Sequence, residues 1–530
     1  MEKVFLAQCL ACILLLPGCS TTESGNAAMK PNKAKEFHMA TLVVDGHNDI
    51  LNSITRQSNA NYNHANNALE LPLNMEYRYT GQASDHPSII DNGKNLADLR
   101  VDVRFDSRAL FSNTNSPTNR FRHLDLQKME KGGLNVAFTA LWYSMGDFSG
   151  GNPIHARSRT LAMMNSLQWN ERKNGDIMAI ARSYDEIIPL YNQGKQIFVP
   201  TIEGGDMFTE ENAIELIRQY HDLGVLVVGP IYTTSTPLAL RNIFTPWGKD
   251  AVKEMQKMGI VIDVCHMTTE KGGTTDQAIA IAAEGGYPIV HTHGRPRSGY
   301  GQTFGLSDDQ MRAIAGLGGV VGVMMHIPSA IPPADYRVEH ILQNIDYAVG
   351  IMGVDHVGLG SDFDGGITLP TDIADASFFY KITQGLAERG YSKEDMAKIL
   401  GGNFMRVLKS AKDMAEPKNI AQGITFTPQL NSDEYGWYVS SMQPTLSAKV
   451  NGNAVSYRVI VDGISYNTES SYNNATGILS LNMPASFPNS GGTAGIVLRE
   501  NFHVVTFEAV NSSGGIARET IIFRVDPSAE

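Results

Sequence analysis

The sequence is poor in cysteine and lacks the signatures of several common enzyme classes. Its 530 residues include 4 cysteines. There is no Gly-Lys-Ser/Thr phosphate loop, no His-Glu-x-x-His motif and no Gly-x-Ser-x-Gly elbow. P-loop nucleotide hydrolysis, single-zinc proteolysis and serine hydrolysis therefore have no support. The formal net charge of −12 argues against a nucleic-acid partner, which normally requires a basic face.

Long apolar runs are also missing, except at the N-terminus. There, "MEKVFLAQCLACILLLPGC" has a lysine followed by an apolar stretch of signal-peptide length, which is too short to span a bilayer. The "LPGC" end resembles a bacterial lipobox and predicts cleavage before Cys19 and lipidation of Cys19. Ser20 favours the outer membrane. We therefore expect a chain that is lipid-anchored in the bacterial cell envelope and faces the periplasm; a plain secretory signal is the alternative.

This interpretation accounts for most of the cysteines. Cys9 and Cys12 would leave with the signal peptide and Cys19 would carry lipid, so Cys265 alone remains in the folded body and no internal disulfide is possible. The predicted domains are a lipoprotein signal peptide at 1–18, a tether at 19–36, a catalytic barrel at 37–415 and an accessory β-sandwich at 424–530.

Short apolar runs rich in Val and Ile alternate with helical patterns from about residue 40 to 412. Such runs are typical of strands that are buried on both faces. Eight of them predict an α/β fold, a (β/α)8 TIM-like barrel, with an open doubly wound sheet as the alternative. The runs are "TLVVDGH", "LNVAFTALW", "QIFVPTIE", "VLVVGPIY", "GIVIDVCH", "PIVHTH", "GVVGVMMH" and "HVGLGSD".

Two regions do not follow this alternation. Residues 51–120 are rich in Asn, Ser and Arg, and we interpret them as an insertion in the first βα loop. Residues 424–530 change to alternating apolar and polar segments with Asn, Gly and Ser turns, which predicts an all-β, Ig-like sandwich. No chemical motif occurs in it, so we expect an accessory module for packing or attachment.

Several of the predicted strands end in ionisable residues. Because the carboxyl ends of barrel strands meet at one face, residues far apart in sequence are expected to share a pocket there. Three histidines, one glutamate and two aspartates in this position are typical of a site for zinc or a similar divalent metal. These residues are His47, Asp49, Glu203, His266, His293 and Asp362.

The motifs around these residues resemble the membrane (renal) dipeptidase family, zinc peptidases with amidohydrolase-like barrels. The motifs are, in order, "DGHND", "IEGGD", "IDVCHM", "PIVHTH" and "GLGSDFDG", and the resemblance covers about 40 to 412. It implies two zinc ions bridged by Glu203, one held by His47 and Asp49 and the other by His266 and His293. It further implies that a metal-bridging hydroxide cleaves the amide bond of a dipeptide.

In this family an aspartate carries the proton to the leaving amine. The resemblance assigns that role to Asp362, with Asp364 as the alternative. Family members are commonly homodimers, so a homodimer is expected by analogy. The expected substrate is a small, dipeptide-like molecule.

Two substrate-binding positions depart from the family pattern. Tyr232 stands where the family has a histidine that contacts the reacting centre, and Phe304 stands where it has an arginine for the substrate carboxylate. Arg295 or Arg297 would have to replace that arginine. His291 and His326 are further candidates for lining the altered pocket.

Three functions follow from these observations. The first is a dinuclear zinc dipeptidase. The second is a divergent hydrolase or tailoring enzyme for another amide or lactam, suggested by Tyr232 and Phe304. The third is a non-catalytic lipoprotein that binds a ligand, which the intact set of metal-binding residue types and Asp362 argue against.

Overall fold

The structure, a computed structural model, contains the predicted barrel. It describes residues 29–51, 123–142, 153–232, 236–296, 305–328, 331–467, 469–483 and 502–526, and the backbone of short strands at Glu76–Arg78, Ser88–Asp91 and Lys94–Asn95. All eight predicted barrel strands are present, at β1 Val44–Asn48, β2 Val136–Trp142, β3 Gln196–Glu203, β4 Val227–Gly229, β5 Val261–Asp263, β6 Ile289–Gly294, β7 Val320–Val323 and β8 Val357–Leu359.

The strands pair in parallel and in chain order from β1 to β8. A doubly wound sheet would reverse its order in the middle, so the alternative fold is excluded. The segment after β8 meets β1: the Asp362 amide donates to the His47 carbonyl at 3.0 Å and the Asp49 amide donates to the Phe363 carbonyl at 2.7 Å. These two bonds close the barrel and bring Asp362 beside His47 and Asp49.

Helices surround the barrel, as expected for a chain of alternating βα units. The helical patterns of the sequence at 210–223, 248–258 and 308–317 correspond to three of them, with slightly different ends. The helices are α1 Pro31–Met39, α2 Leu126–Gly132, α3 Pro153–Lys173, α4 Tyr184–Asn192, α5 Ala213–Asp222, α6 Pro246–Lys257, α7 Thr274–Gly285, α8 Asp308–Gly316, α9 Val338–Met352, α10 Tyr380–Glu388, α11 Lys393–Ala397 and α12 Asn403–Met414. Among the helices of the described ranges, none has the length and hydropathy needed to cross a membrane.

The predicted insertion at 51–120 lies almost entirely outside the described residues. The three short strands within it pair antiparallel, Glu76–Arg78 with Ser88–Asp91 and the latter with Lys94–Asn95. The first two barrel strands are separated by this segment and by α2, as the sequence predicted for an elaborated first βα loop.

A phenylalanine fills the barrel interior near its axis. Phe404, at the start of α12, packs its ring edge-on against Phe138 of β2 with centroids 5.4 Å apart. Gly46 and Gly358 make room for it, since a Cβ at either position would lie 2.5 or 2.6 Å from a ring carbon of Phe404. The interior at this level is therefore closed by apolar packing, whereas polar groups occupy the carboxyl ends of the strands.

The C-terminal region is a sandwich of two sheets, in agreement with the predicted all-β module. One sheet has the order β9-β12-β16-β15 and the other the order β10-β11-β18-β17-β13-β14. Leu446 and Leu481 of the first sheet share a buried core with Phe507 and Phe523 of the second. The strands are β9 Thr425–Pro428, β10 Asn431–Asp433, β11 Gly436–Val439, β12 Thr445–Asn451, β13 Ser456–Val461, β14 Ile464–Tyr466, β15 Ser471–Asn473, β16 Ile478–Asn482, β17 Phe502–Val510 and β18 Ile516–Val525.

Helix α3 joins the sandwich to the barrel. Every residue from Ala156 to Leu167 is buried, so the helix is covered on all sides and not along a single stripe. Phe502, Val504 and Ile522 of the sandwich belong to the same apolar core as the barrel and its helices. The sandwich is thus packed firmly against the barrel.

A buried charged group crosses the same interface. The guanidinium of Arg157 on α3 lies 2.9 Å from the Asp462 carboxylate, which also bonds to His503 Nδ1 at 2.7 Å. Burial alone would raise the pKa of Asp462, but the neighbouring Arg157 and His503 hold it below its ordinary value. On α5, Gln219 donates to the Ile460 carbonyl and accepts from the Gly463 amide.

The N-terminal boundary differs from the predicted tether at 19–36. Helix α1 begins at Pro31, and its Ala34 and His38 are buried. His38 Nε2 donates to the Gly132 carbonyl at 2.8 Å, and its Nδ1 accepts from the Thr383 hydroxyl at 2.7 Å. Burial lowers the pKa of His38 to about 4, so the imidazole is neutral. The packed part of the chain therefore begins before residue 37.

Candidate metal centre

The six predicted groups lie at one end of the barrel. His47 is in β1 and Asp49 follows it, Glu203 is the last residue of β3, and His293 is in β6. His266 follows β5 by three residues and Asp362 follows β8 by three. Each of these residues stands at or just after the carboxyl end of an apolar strand. In a barrel these strand ends meet at one face, so the polar side chains come together there.

Glu203 is the centre of the group. Its Oε1 lies 2.8 Å from His266 Nε2 and 3.5 Å from His293 Nε2, and its Oε2 lies 3.5 Å from His47 Nε2. The His266 and His293 Nε2 atoms are 3.0 Å apart. One carboxylate thus lies beside the imidazoles of three histidines from other parts of the barrel. Its Oε1 faces His266 and His293, and its Oε2 faces His47.

Asp49 and Asp362 lie on the His47 side. One ligand atom each of His47, Asp49 and Asp362 falls within 4.8 Å of the others, and His47, Glu203 and His293 form a second such group. A third group contains His266, His293 and Cys265. Four of these six residues are buried, Asp362 is half-buried and His266 is exposed. Three carboxylates and three imidazoles make a donor set that suits a borderline divalent cation.

The chemistry of His47 also fits a metal. Its ring is buried and stacks on the ring of His293 with centroids 3.7 Å apart. Its Nε2 has no hydrogen-bond partner within the part of the chain that the structure describes. A buried polar atom without a partner costs free energy, and a cation at this nitrogen would remove that cost.

Burial and mutual charge shift the pKa values in the cluster. Burial alone would lower the pKa of His47, but Glu203 and Asp49 raise it well above its ordinary value. Burial would raise the pKa of Glu203, yet His47 and His266 hold it well below the ordinary value. For Asp362, burial and the nearby Asp49 both raise the pKa strongly. Glu203 and His47 therefore favour each other's charged forms, whereas Asp49 disfavours the ionisation of Asp362.

Two of these residues have an uncommon backbone conformation. His266 has φ of 62° and Asp362 has φ of 63°, in the left-handed region that non-glycine residues seldom adopt. Each costs on the order of 1 kcal/mol, and such residues concentrate at functional sites. Both turn the chain directly after a barrel strand, which aims their side chains over the end of the barrel.

The structure distinguishes Asp362 from its alternative, Asp364. The Asp364 carboxylate accepts the His123 amide at 2.7 Å and the Leu124 amide at 3.2 Å, so it holds the chain leading into α2. Asp362, in contrast, belongs to a group with His47 and Asp49. The geometry leaves Asp362 as the aspartate facing the cluster.

Tyr232 and Arg295, both predicted to bind substrate, border the cluster. The Tyr232 ring lies 4.5 Å from that of His266 and 5.4 Å from that of Trp142. In Arg295, Nε and Nη1 are buried without a hydrogen-bond partner among the described residues. Arg297, Phe304 and the lipidation candidate Cys19 lie outside the described residues.

His326 and His291 are both neutral. Burial lowers the pKa of His326 to about 4, and His326 Nδ1 accepts the Thr368 amide at 3.0 Å. His291 is buried, and its pKa is lowered to about 3 by burial. The bond to Thr368 indicates a structural role for His326.

Sequence reasoning missed a set of supporting residues. Asp45 accepts the amide and the hydroxyl of Ser361 at 2.6 and 2.7 Å, which fixes the segment before Asp362. Asp263 accepts from Thr292 in the same way, beside His293. Both supporting aspartates could have been found in the sequence, because each lies inside an apolar run, "VVDGH" for Asp45 and "VIDVCH" for Asp263. An acid in such a run is expected to be buried and therefore to need hydrogen-bond partners.

A (β/α)8 barrel with His, Asp and Glu clustered at the carboxyl ends of its strands is the arrangement of a barrel enzyme whose site suits a divalent metal. The chain belongs to the membrane dipeptidase family, peptidase family M19, whose family model matches residues 88–422. It is therefore a hydrolase of the metallodipeptidase family, and the family implies a metal, typically zinc. The match includes Glu203, His266, His293 and Asp362 and begins after His47 and Asp49.

Relatives and a solved structure agree with this assignment. The dipeptidase tcpJ of Claviceps purpurea is 25% identical over 366 residues, 66% of this chain and 81% of that protein. An uncharacterised protein in the pqqA 5′ region of Klebsiella pneumoniae is 37% identical over 230 residues, 40% of this chain and 81% of that protein. A metallo peptidase from Rhodobacter sphaeroides, solved with a phosphinate mimic of the dipeptide L-Ala-D-Ala, shares the fold with a TM-score of 0.50 and 21% identity, over 70% of this chain and 99% of that one.

Proposed function

We propose that this protein is a dinuclear zinc dipeptidase in which Glu203 would contribute a ligand to both ions. His47 and Asp49 would hold one ion, and His266 and His293 the other. The observation that carries the proposal is the position of Glu203, whose Oε1 faces His266 and His293 and whose Oε2 faces His47, at 2.8 to 3.5 Å. When bound, the two ions would supply an activated water as nucleophile and polarise the scissile carbonyl.

The remaining residues bind, orient and move protons. Asp362 would take the proton of the attacking water and deliver it to the leaving amine, because it faces the cluster while Asp364 is engaged by backbone amides. Tyr232, beside His266, would donate a hydrogen bond to the oxygen of the reacting carbonyl.

Arg295 would bind the free carboxylate of the substrate. Two of its nitrogens are buried without a partner among the described residues, and a guanidinium matches a carboxylate in a bidentate geometry. Arg297 is the second candidate for this role. The mimic of L-Ala-D-Ala bound by the Rhodobacter sphaeroides metallo peptidase suggests L-D dipeptides as first substrates, to be tested beside L-L dipeptides.

A second candidate function is hydrolysis of a different amide or a lactam. Tyr232 and Phe304 support it, because both depart from the substrate-binding pattern of the family while the metal-binding residue types are intact. A third candidate, a non-catalytic ligand-binding lipoprotein, has less support, because the cluster retains Asp362.

Metal analysis and a substrate panel test the proposal. Purified protein is expected to hold about two zinc ions per chain. A Glu203→Ala variant should lose most of both, because each ion loses a ligand. On a panel of L-L and L-D dipeptides and their amides, an Asp362→Asn variant should keep its zinc and lose activity by about 10²–10⁴-fold.

Asp364→Asn is the matched control, since it removes a neighbouring carboxylate that binds backbone and should leave the rate nearly unchanged. Zinc-loaded wild-type protein that cleaves amides or lactams but no dipeptide would favour the second function. Absence of zinc together with absence of hydrolysis would favour the third.

We also propose a lipid anchor at Cys19, in the bacterial outer membrane facing the periplasm. The lipobox-like "LPGC" and the serine that follows it support this location. A Cys19→Ala variant should move from the membrane fraction to the soluble fraction on cell fractionation. If it stays with the membrane, the anchor lies elsewhere.

A further inference from the structure

A chain of hydrogen bonds connects Asp263 through Thr292 to the His293 ring. It reaches the ring at Nδ1, whereas Glu203 lies at Nε2. His293 Nδ1 lies 2.9 Å from the Thr292 hydroxyl, and that hydroxyl lies 2.5 Å from Asp263 Oδ2. Asp263 Oδ1 accepts the amides of Thr292 at 3.0 Å and Cys265 at 2.9 Å. All of these residues are buried, so water does not compete for the bonds.

With Asp263 ionised, as its acceptance of two backbone amides favours, the donors and acceptors in this chain permit one arrangement of protons. An ionised Asp263 can only accept, so the single hydroxyl proton of Thr292 goes to its Oδ2. The hydroxyl oxygen must then accept from His293, which places the ring proton on Nδ1. His293 Nε2 is left with its lone pair facing Glu203 and His266, where a metal ion would bind.

An irregularity in the sheet makes this contact possible. The pairing of β6 with β7 shifts register between His291 and Gly294. In a regular strand Thr292 and His293 would point to opposite faces. Register shifts of this kind re-aim side chains next to active sites, and here the shift brings a hydroxyl and the neighbouring imidazole together.

We propose that Asp263 and Thr292 are positioning residues that fix His293 in the Nδ1–H tautomer and the orientation needed to bind the metal. This inference rests on the proposed function, because it takes the ligand of His293 to be a zinc ion. Partners of metal-binding histidines typically change metal affinity by about 10–100-fold. Asp263 and Thr292 belong to none of the groups of possible metal ligands among the described residues, and we expect them to act through His293.

The variants Thr292→Val and Thr292→Ser distinguish the effect of the Thr292 hydroxyl from the effect of its side-chain shape. Valine keeps the shape and removes the hydroxyl, whereas serine keeps the hydroxyl. Zinc affinity, measured by competition with a chromophoric chelator, is expected to fall about 10–100-fold in Thr292→Val and to stay within about 3-fold of wild type in Thr292→Ser. Thermal unfolding of the metal-free proteins checks that all three are folded.

Two results would overturn the inference: a Thr292→Val protein that binds zinc as tightly as wild type, or a Thr292→Ser protein that loses as much affinity as Thr292→Val. Nitrogen NMR of histidine-labelled, metal-free protein provides a readout independent of the proposed function. A His293 Nδ1–H signal that disappears in Thr292→Val would support the role of Asp263 and Thr292 as positioning residues, even if the protein binds no zinc. Absence of this signal from the wild-type protein would refute that role.

Discussion

A Gly365→Ala variant is expected to lose at least about 10²-fold in kcat/KM while remaining folded. A Cβ at this position would lie 2.2 Å from Asp362 Oδ1 and 2.6 Å from Asp49 Oδ2. Both distances are far below contact, so at least one carboxylate must move away from the cluster. The measurements are kcat/KM on the best dipeptide, zinc content and thermal unfolding of the purified variant.

Gly366→Ala is the control for this experiment. Gly366 has φ of 75° and no heavy atom within 4 Å of an added Cβ, so its substitution causes backbone strain without touching the site. It should cost about 1 kcal/mol of stability and leave kcat/KM nearly unchanged. If Gly365→Ala kept full activity and zinc, the placement of Asp362 and Asp49 in the active site would be wrong.

An Arg157→Ala variant is expected to lose about 3–5 kcal/mol of unfolding free energy. Arg157 and Asp462 are almost completely buried, and their closest atoms are 2.9 Å apart. Removal of the guanidinium leaves the Asp462 carboxylate inside the interface without its arginine, with the His503 imidazole 2.7 Å away. The quantity to measure is the free energy of unfolding in urea, followed by circular dichroism.

Lys173→Ala tests the same interface at its exposed edge. Lys173 is also on α3 and pairs with Glu434 of the sandwich at 3.2 Å, but both side chains are about half exposed. Water screens such a pair, so its loss should cost less than about 1 kcal/mol. Equal effects of the two substitutions would show that burial of the Arg157 pair contributes nothing to holding the domains together.

These two predictions concern positions to which sequence reasoning gave no role, although Gly365 lies within the motif "GLGSDFDG". Gly365 is one of 50 glycines, and Arg157 is one charged residue in a helix of mixed composition. Their importance depends on what lies opposite them. For Gly365 this is a pair of carboxylates, one of them more than 300 positions away in the chain, and for Arg157 it is a carboxylate in another domain.

The barrel, in contrast, could be predicted from sequence. A strand buried on both faces needs an almost continuous apolar run, so each barrel strand is visible locally, and a polar residue at its end is conspicuous. The same reasoning selected His47, Glu203 and His266 as residues that would meet, and the structure places each of the two histidines within 3.5 Å of Glu203. Sequence reasoning placed residues 31–36 in the tether, whereas they belong to helix α1. This helix is mostly polar and depends on α10 for its burial, so its sequence alone does not indicate that it packs.

The sequence by itself determined the strands, the type of each side chain at their ends and therefore the metal chemistry that suits them. The tertiary structure alone decided which carboxylate faces the cluster, which hydroxyl orients His293 and where Arg157 finds its counter-charge. The physical reason is that burial and hydrogen bonding along one strand are local properties of the chain. Distances between strand ends depend instead on register, on the shift in β6 and on the closure of β1 against the segment after β8.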